Sequence, residues 1–332
     1  MTSNDVVLVG AGLASQRCAE TLRARGFDGP IRMIGLEPHP PYDRPPLSKE
    51  ALGAPPLLRP AGWHAEHDVD LLLGERAVSL DEARVHLASG SSVAFGRLLV
   101  ATGARPRTLP NLRDALTLRS FDDAVRLRCS LTEGARLAIV GAGFVGLEVA
   151  ATARELGVHV TVFETAPAPL GRVLGPRVGE WFARLHRSRG INLKLGTPFG
   201  GGDFDAVLVA VGAVPDTEWA GAGLHRRPNV FVAGDATGSQ HWEAAVRQGA
   251  DAARAMLGLP PLAPAVESVW SDQHGLRVHV LGRPAGEPVI EHESPDRLVA
   301  WFGEGAVLAN AAELLPAARK RLRNPQPQEI AA

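Results

Sequence analysis

The sequence predicts an α/β chain containing two strand–turn–helix–strand units. Three observations predict it. The glycine turn GAGLAS (residues 10–15) follows the apolar run DVVLVG, and the glycine turn GAGFVG (141–146) follows RLAIV. An acidic residue closes each unit, Glu37 after IRMIGL and Glu164 after HVTVF. Short Val-rich runs of this kind are the length of buried parallel strands. The bulk numbers agree. The chain has 332 residues, room for two or three domains, with 45% hydrophobic and 21% charged residues. A formal net charge of −1 gives no global field for nucleic acid or an anionic membrane, and neither is expected as a partner. Nearly all of the 35 basic residues are Arg, which reads as compositional bias. No apolar run reaches the roughly 18 residues of a membrane span. The start, VVLVGAGLA, lacks a basic n-region and uses its glycines in the turn, so it does not read as a signal peptide. A cytoplasmic protein is expected.

Each element has a local reason. In the first unit Gly10 permits the tight turn, and Gly12 lets backbone approach a pyrophosphate at the N-terminus of the next helix. Leu13 and Ala14 complete the turn. Ser15 takes the third position, where Gly or Ala is usual, and is small enough to keep helix and strand close. The helix ASQRCAETLRARG ends at Gly26, a C′ glycine. Glu37 is placed to accept hydrogen bonds from a ribose. The stiff segment PYDRPPLSKE (41–50) then carries Arg44 and Lys49 among prolines, which fix φ and narrow its path. LLVATGARP (98–106) is a strand leading into Ala101, Thr102 and Gly103. The second unit repeats the logic with Gly141, Gly143 and Gly146, the intervening Phe144 and Val145, and Glu164. Two copies of the pattern, each closed by an acid, are a far stronger signal than a lone GxGxxG. They suggest one bound flavin dinucleotide and one diffusing nicotinamide dinucleotide. A carboxylate at Glu164 favours NADH over NADPH, a preference that Arg172 can soften. AVLVAVGAVPD (206–216) is a second strand and turn, with Val211 and Gly212. NVFVAGDA (229–236) ends in Gly234 and Asp235. Asp235 reads either as an acceptor for a flavin hydroxyl or as a cap for the helix HWEAAVRQGADAARAML, which begins near Trp242. LGLPPLAPAVE (257–267) marks a junction. The two cysteines, Cys18 and Cys129, form no CxxC and have no metal-ligand spacing. Cys18 reads as a buried small hydrophobe.

Taken together, GAGLAS…Glu37, PYDRPPLSK, ATGARPR, GAGFVGLEVA…Glu164, VAVGAVPD, VFVAGD, WEAAVRQG and VWSDQHGLRVHVLG resemble a known family. It is that of the FAD-dependent NADH:ferredoxin reductases of bacterial oxygenase systems, the putidaredoxin, rubredoxin and biphenyl dioxygenase reductases among them. The resemblance implies two glutathione-reductase-like dinucleotide-binding domains plus a small α+β domain. The FAD domain would be discontinuous (1–109 and 229–264), with the NADH domain inserted (110–228) and the α+β domain last (265–332). It implies that Lys49 lies beside flavin N5 and that Glu148 faces it across the nicotinamide site, the two forming the catalytic pair. A buried Lys is costly unless paired, so a Lys49–Glu148 ion pair is also a physical expectation. Arg44 is expected at the FAD phosphates or the pocket wall, and Trp242 near the isoalloxazine. Val78 and Arg119 are further expected cofactor contacts. The implied partners are NADH and a ferredoxin-type iron–sulfur protein or rubredoxin, with a monomer or homodimer. Arg283, Arg297 and the helix at 311–323 are docking candidates, though a solvated basic helix face is the preferred reading there. The chain departs from the family in lacking peripheral β-meanders between Gly190 and Gly234, where PFGGGD (198–203) reads as a replacement turn. Both cofactor sites are expected to survive. Two other readings share the motifs: an NADH oxidase or quinone reductase, and a non-enzymatic NADH-responsive flavoprotein resembling apoptosis-inducing factor. A disulfide reductase would need a thiol in the 41–50 segment, which has none.

Overall fold

The computed structural model describes residues 4–50, 53–239 and 241–324. The chain divides into two compact units. The first comprises Met1–Pro46, Leu52–Arg105 and Ala213–Ala263. Its centre is a five-stranded parallel sheet, in the order Val230–Val232, Arg97–Val100, Val6–Val9, Ile31–Gly35 and Val69–Leu73. Val6–Val9 is buried at every position and pairs on both sides, Val6 with Ile31 and with Arg97. A parallel sheet needs cover on both faces, and alternation along this strand shows what supplies it. Val6 and Leu8 pack with Cys18 and Leu22 of the helix Leu13–Ala24 and with Ala253 and Met256 of the helix Trp242–Met256. Val7 and Val9 pack with Ala77, Val85, Leu87 and Val93 of a three-stranded antiparallel sheet. Cys18 is fully buried, and burial pushes its thiol far above the ordinary range, which suits the role of a small hydrophobe. The two helices lie close because Gly249 has no side chain: a Cβ there would sit 2.2 Å from the Ala14 carbonyl oxygen. The first helix stops with Gly26 at φ 79°.

The second unit comprises Leu47–Ala51, Pro106–Gly212 and Pro264–Ala332, of which residues 325–332 lie outside the described residues. It holds a four-stranded parallel sheet, in the order Asn192–Leu195, His159–Glu164, Arg136–Val140 and Ala206–Val209. It also holds a five-stranded antiparallel sheet, in the order Ser268–Gln273, Leu276–Arg283, Glu304–Ala309, Arg297–Trp301 and Val289–Ser294. The two sheets share one core. Val278, Val280, Leu298, Ala300 and Val307 join Leu147, Trp181 and Phe182 from the helices Phe144–Glu155 and Gly171–Ser188. The opposite face, with Leu281, Val299, Trp301 and Leu308, is covered by Ala318 and Leu322 of the helix Leu315–Arg323. That helix is shorter than the 311–323 read from sequence, because Ala312–Leu314 forms a separate turn. The long helix breaks at Gly175 (φ 76°, ψ 165°), and Pro176 begins its second part, where a missing N–H costs nothing.

The fold class follows the expectation: two Rossmann-like sheets and a C-terminal antiparallel sheet. The shared core explains why residues 264–332 join the middle segment as one unit. The chain re-enters the first unit at Ala213, ahead of the 228/229 junction read from sequence. Residues 197–205 form no strand. Instead Phe199, within the PFGGGD turn, and Phe204, just after it, pack edge-on against Phe163 at 5.1 and 6.0 Å between ring centroids, so the segment lays two rings over the strand His159–Glu164.

Candidate active site

The two glycine turns have the same construction. Gly10 has φ 108°, and a Cβ on it would meet the Ala101 carbonyl oxygen at 2.1 Å. Gly141 has φ 109°, and a Cβ on it would meet the Ala210 carbonyl oxygen at 2.5 Å. Thus Ala101–Thr102–Gly103 and Ala210–Val211–Gly212 play corresponding parts, each pressed against the turn of its own unit. Gly103 (φ 75°) and Gly212 (φ 97°) end the two strands in the left-handed region. Thr102 Oγ1 donates to the Asp216 carbonyl, and Arg107 N–H donates to the Gly212 carbonyl at 2.9 Å. At the third fingerprint position the copies differ. A Cβ on Gly146 would lie 2.3 Å from the Gly141 carbonyl oxygen, whereas Ser15 accommodates its own side chain in the first unit.

Both turns fit a pyrophosphate. Gly12 and Gly143 stand at the N-caps of their helices, and a Cβ on either would meet nothing within 4 Å. Neither helix has a side-chain cap or an acidic residue in its first turn. Their leading N–H groups and the positive end of each dipole are therefore left for an anion. The helix Phe121–Cys129 shows the contrast: Ser120 and Asp123 form a reciprocal capping box, with Asp122 beside them. Ser15 Oγ is fully buried with no hydrogen-bond partner among the described residues, a group that a bound ligand can satisfy. These features fit one dinucleotide in each unit.

The acids that close the units are already in use. Glu37 accepts from Tyr42 Oη at 2.6 Å and from Arg44 Nη2 at 2.7 Å. Glu164 accepts from the Ala142 N–H of its own glycine turn at 2.9 Å and from the Ala166 N–H at 2.8 Å. Each carboxylate can accept about four hydrogen bonds, so lone pairs remain for a ribose. Arg44 thus faces Glu37 and lies over the Tyr42 ring, 5.0 Å from its centroid. Desolvation opposes its charge, but Tyr42, Glu37 and Asp235 outweigh that and raise its pKa. Asp235 lies in the short turn Gly234–Thr237, where Gly234 takes φ 69°. Asp235 does not cap the following helix, whose N-cap is His241, so the capping alternative falls. Trp242 opens that helix and donates from Nε1 to Asp43 at 2.8 Å. Tyr42, Asp43 and Arg44 of the proline-rich segment are therefore all held by side chains of the first unit.

Lys49 and Glu148 meet in the second unit, Nζ to Oε2 at 2.8 Å, with side chains 16% and 6% exposed. Lys49 is one of three lysines in the chain, with Lys194 and Lys320. Ser48 Oγ donates to the same oxygen of Glu148, and Ser271 Oγ donates to the other at 2.6 Å. Thr152, one turn beyond Glu148 on the same helix, donates to the Ser48 carbonyl at 2.9 Å and so ties down the end of the short 3-10 turn Pro45–Ser48 that presents Lys49. The sequence reading found the ion pair and missed Ser48 and Ser271. Ser271 belongs to WSDQ, whose buried polar residues at alternate strand positions were the available signal.

The remaining expected contacts are more dispersed. Leu13 and Phe144 are half-buried, Ala14 is buried, and Val145 is 43% exposed. Val78 is exposed on the strand Ala77–Leu80 of the three-stranded sheet. Arg119 is half-buried, and its N–H donates to Asp123. Arg172 is exposed in the first turn of the helix Gly171–Ser188, eight positions beyond Glu164.

A family model described as pyridine nucleotide-disulphide oxidoreductase matches residues 4–249. The anthranilate 1,2-dioxygenase system ferredoxin–NAD(+) reductase component of Burkholderia cepacia is 35% identical, over 100% of this chain and 98% of its own. The biphenyl dioxygenase system ferredoxin–NAD(+) reductase component of Paraburkholderia xenovorans is 35% identical, over 85% and 81%. Among solved structures, the covalent putidaredoxin reductase–putidaredoxin complex aligns with a TM-score of 0.88 and 27% identity, over 96% of this chain and 92% of that one. Matched along nearly its whole length, and with a glycine turn built for a dinucleotide in each unit, the chain belongs to the pyridine nucleotide-disulphide oxidoreductase family, among its ferredoxin reductases.

Proposed function

We propose that this protein takes hydride from NADH onto FAD and passes single electrons to a ferredoxin-type iron–sulfur protein that feeds an oxygenase. The observation that carries the reading is the Lys49–Glu148 pair, its carboxylate buried and its ammonium partly so, in a chain that has two uncapped dinucleotide turns. The names of the relatives support the acceptor, since they are ferredoxin reductase components of dioxygenase systems. Bound flavin supplies the exchange between two-electron and one-electron transfer. On this reading Gly10, Gly12, Ser15, Glu37, Arg44, Ala101–Gly103, Gly234 and Asp235 hold FAD. Gly141, Gly143, Gly146, Glu164 and the Val211–Gly212 turn hold NADH. The domain plan of FAD segments, inserted NADH segment and C-terminal α+β segment is proposed with it, as is a cytoplasmic location. No helix among the described residues is long and apolar enough to cross a membrane.

Lys49 and Glu148 would serve the hydride step by orienting the reacting rings with a fixed ammonium and carboxylate. Thiol chemistry has no place in this reading despite the family's name. Cys18 is sealed in the core, and Cys129 ends an exposed helix face in the second unit. Stopped-flow reduction of the flavin by NADH tests the pair. Lys49→Ala and Glu148→Ala should each slow it roughly 100-fold, and unchanged rates in both would sink the assignment. Steady-state rates with a ferredoxin, oxygen and a quinone, compared side by side, test the acceptor. Fastest turnover with the ferredoxin is expected.

A further inference from the structure

The Lys49–Glu148 pair is one end of a buried polar chain that runs through the second unit. Ser271 Oγ meets Glu148 Oε1 at 2.6 Å, Gln273 Nε2 meets Ser271 Oγ at 2.9 Å, His186 Nε2 meets Gln273 Oε1 at 2.9 Å, and His274 Nε2 meets His186 Nδ1 at 3.1 Å. Glu148, Ser271, Gln273 and His186 are all buried, and His274 is half-buried at the outer end. Two elements assemble it. Ser271 and Gln273 are alternate residues of the strand Ser268–Gln273, so both face inward. His274 and Gly275 follow with φ 53° and 75°, forming the two-residue turn into Leu276–Arg283. That turn brings the His274 ring to 4.7 Å from His186, which stands near the end of the helix Gly171–Ser188.

Residue chemistry sets the direction of every bond. An ionised Glu148, paired with Lys49, can only accept, so Ser271 donates to it. The Ser271 oxygen then accepts from the Gln273 amide N–H. The Gln273 carbonyl accepts, so His186 carries its proton on Nε2. Nδ1 of His186 is then the acceptor, and His274 donates from its own Nε2. Burial supports two neutral rings: it pushes His186 down to about 4, and burial, His186 and Arg189 together push His274 down to about 3. All four donors therefore point toward Glu148. An amide does not release its proton at neutral pH, so the chain aligns dipoles and does not conduct protons.

We propose that Ser271, Gln273, His186 and His274 form a one-directional array that fixes the rotation of the Glu148 carboxylate, and through it the Lys49 ammonium, as positioning residues for hydride transfer. The inference rests on the role given to Lys49 and Glu148 above. Ser271 anchors Oε1 and so leaves Oε2 to Lys49 and Ser48. Without it the carboxylate is free to turn about its last bond, and Lys49 loses a fixed acceptor.

Two measurements test the array. Long-range proton–nitrogen NMR of histidine-labelled protein at pH 7, with signals assigned by His186→Gln and His274→Gln, reads the tautomers without any activity. Neutral Nε2–H rings at both positions are expected, with the His186 Nε2 signal moving in Gln273→Met. A neutral Nδ1–H tautomer at His186 would overturn the directional order. Stopped flow on Ser271→Ala and Gln273→Met then reads function. The limiting rate of flavin reduction should fall about tenfold in Ser271→Ala and less in Gln273→Met, with the NADH dissociation constant unchanged. A normal limiting rate in Ser271→Ala beside a slow Glu148→Ala overturns the array alone. Normal rates in both remove the proposed role of the ion pair itself.

Discussion

Single glycines separate folding from binding in the two turns. Gly10 combines φ 108° with a carbonyl oxygen 2.1 Å from any added Cβ, so Gly10→Ala must shift backbone. A loss of roughly 2–4 kcal/mol is expected, read from urea unfolding. Gly143 has extended backbone, φ −81° and ψ −179°, and open space where its Cβ would be. Gly143→Ala should therefore leave stability within about 1 kcal/mol and weaken NADH binding at least tenfold, because the methyl group enters the path of the pyrophosphate. Equal NADH affinity in that variant would argue against a dinucleotide at this turn. Residue chemistry made much of this legible: φ-demanding glycines and the paired acids are marked by local pattern, whereas the Lys49–Glu148 pair is implied by the family resemblance and by the cost of burying an unpaired lysine. Ser48 and Ser271 were not legible, because 223 positions of sequence separate them and only the fold brings both hydroxyls to one carboxylate.

Helix ends distinguish elements that serve the fold from elements that serve a ligand. The helix Phe121–Cys129 caps itself through Ser120 and Asp123, and Ser120→Ala should lower stability by about 1 kcal/mol in a thermal or urea melt. The two fingerprint helices lack such caps, so cofactor binding should stabilise them by linkage. Helix packing is equally specific. Gly249→Ala would drive a methyl group to 2.2 Å from the Ala14 carbonyl and should separate the helices Leu13–Ala24 and Trp242–Met256. A drop of roughly 1–3 kcal/mol in unfolding free energy is the expected result. The sequence reading placed the first helix between its glycine turn and Gly26 and the second after the strand that ends at Gly234–Asp235, but gave Gly249 no role, since the contact of Gly249 with Ala14, 235 positions away, leaves no local mark.

At the scale of the whole molecule, acid sensitivity follows from the buried histidines. His186 has a folded value of about 4 against an unfolded value of about 6.5. Between these the unfolded chain holds a proton that the folded chain does not, so stability is full above about pH 6.5 and falls as pH drops toward 4. From pH 7.5 to pH 5 this group alone should remove about 2 kcal/mol. His274 adds in the same direction, with Arg189 among its charged neighbours. Urea midpoints at the two pH values should differ clearly in the wild type and less in His186→Gln. By itself the sequence determined the two Rossmann-like units, the glycine turns and the acids that close them, because short-range φ requirements and strand–turn–helix spacing are written in local pattern; the ion pair came through the family resemblance those motifs carry. Only the tertiary structure decided that the C-terminal sheet shares a core with the inserted parallel sheet, that Arg44 is held by Glu37 and Tyr42, and that a polar chain leads from Glu148 to His274. Those features depend on which faces of distant strands and helices meet, and the chain sets that by burying apolar surface globally, not by any spacing within a segment.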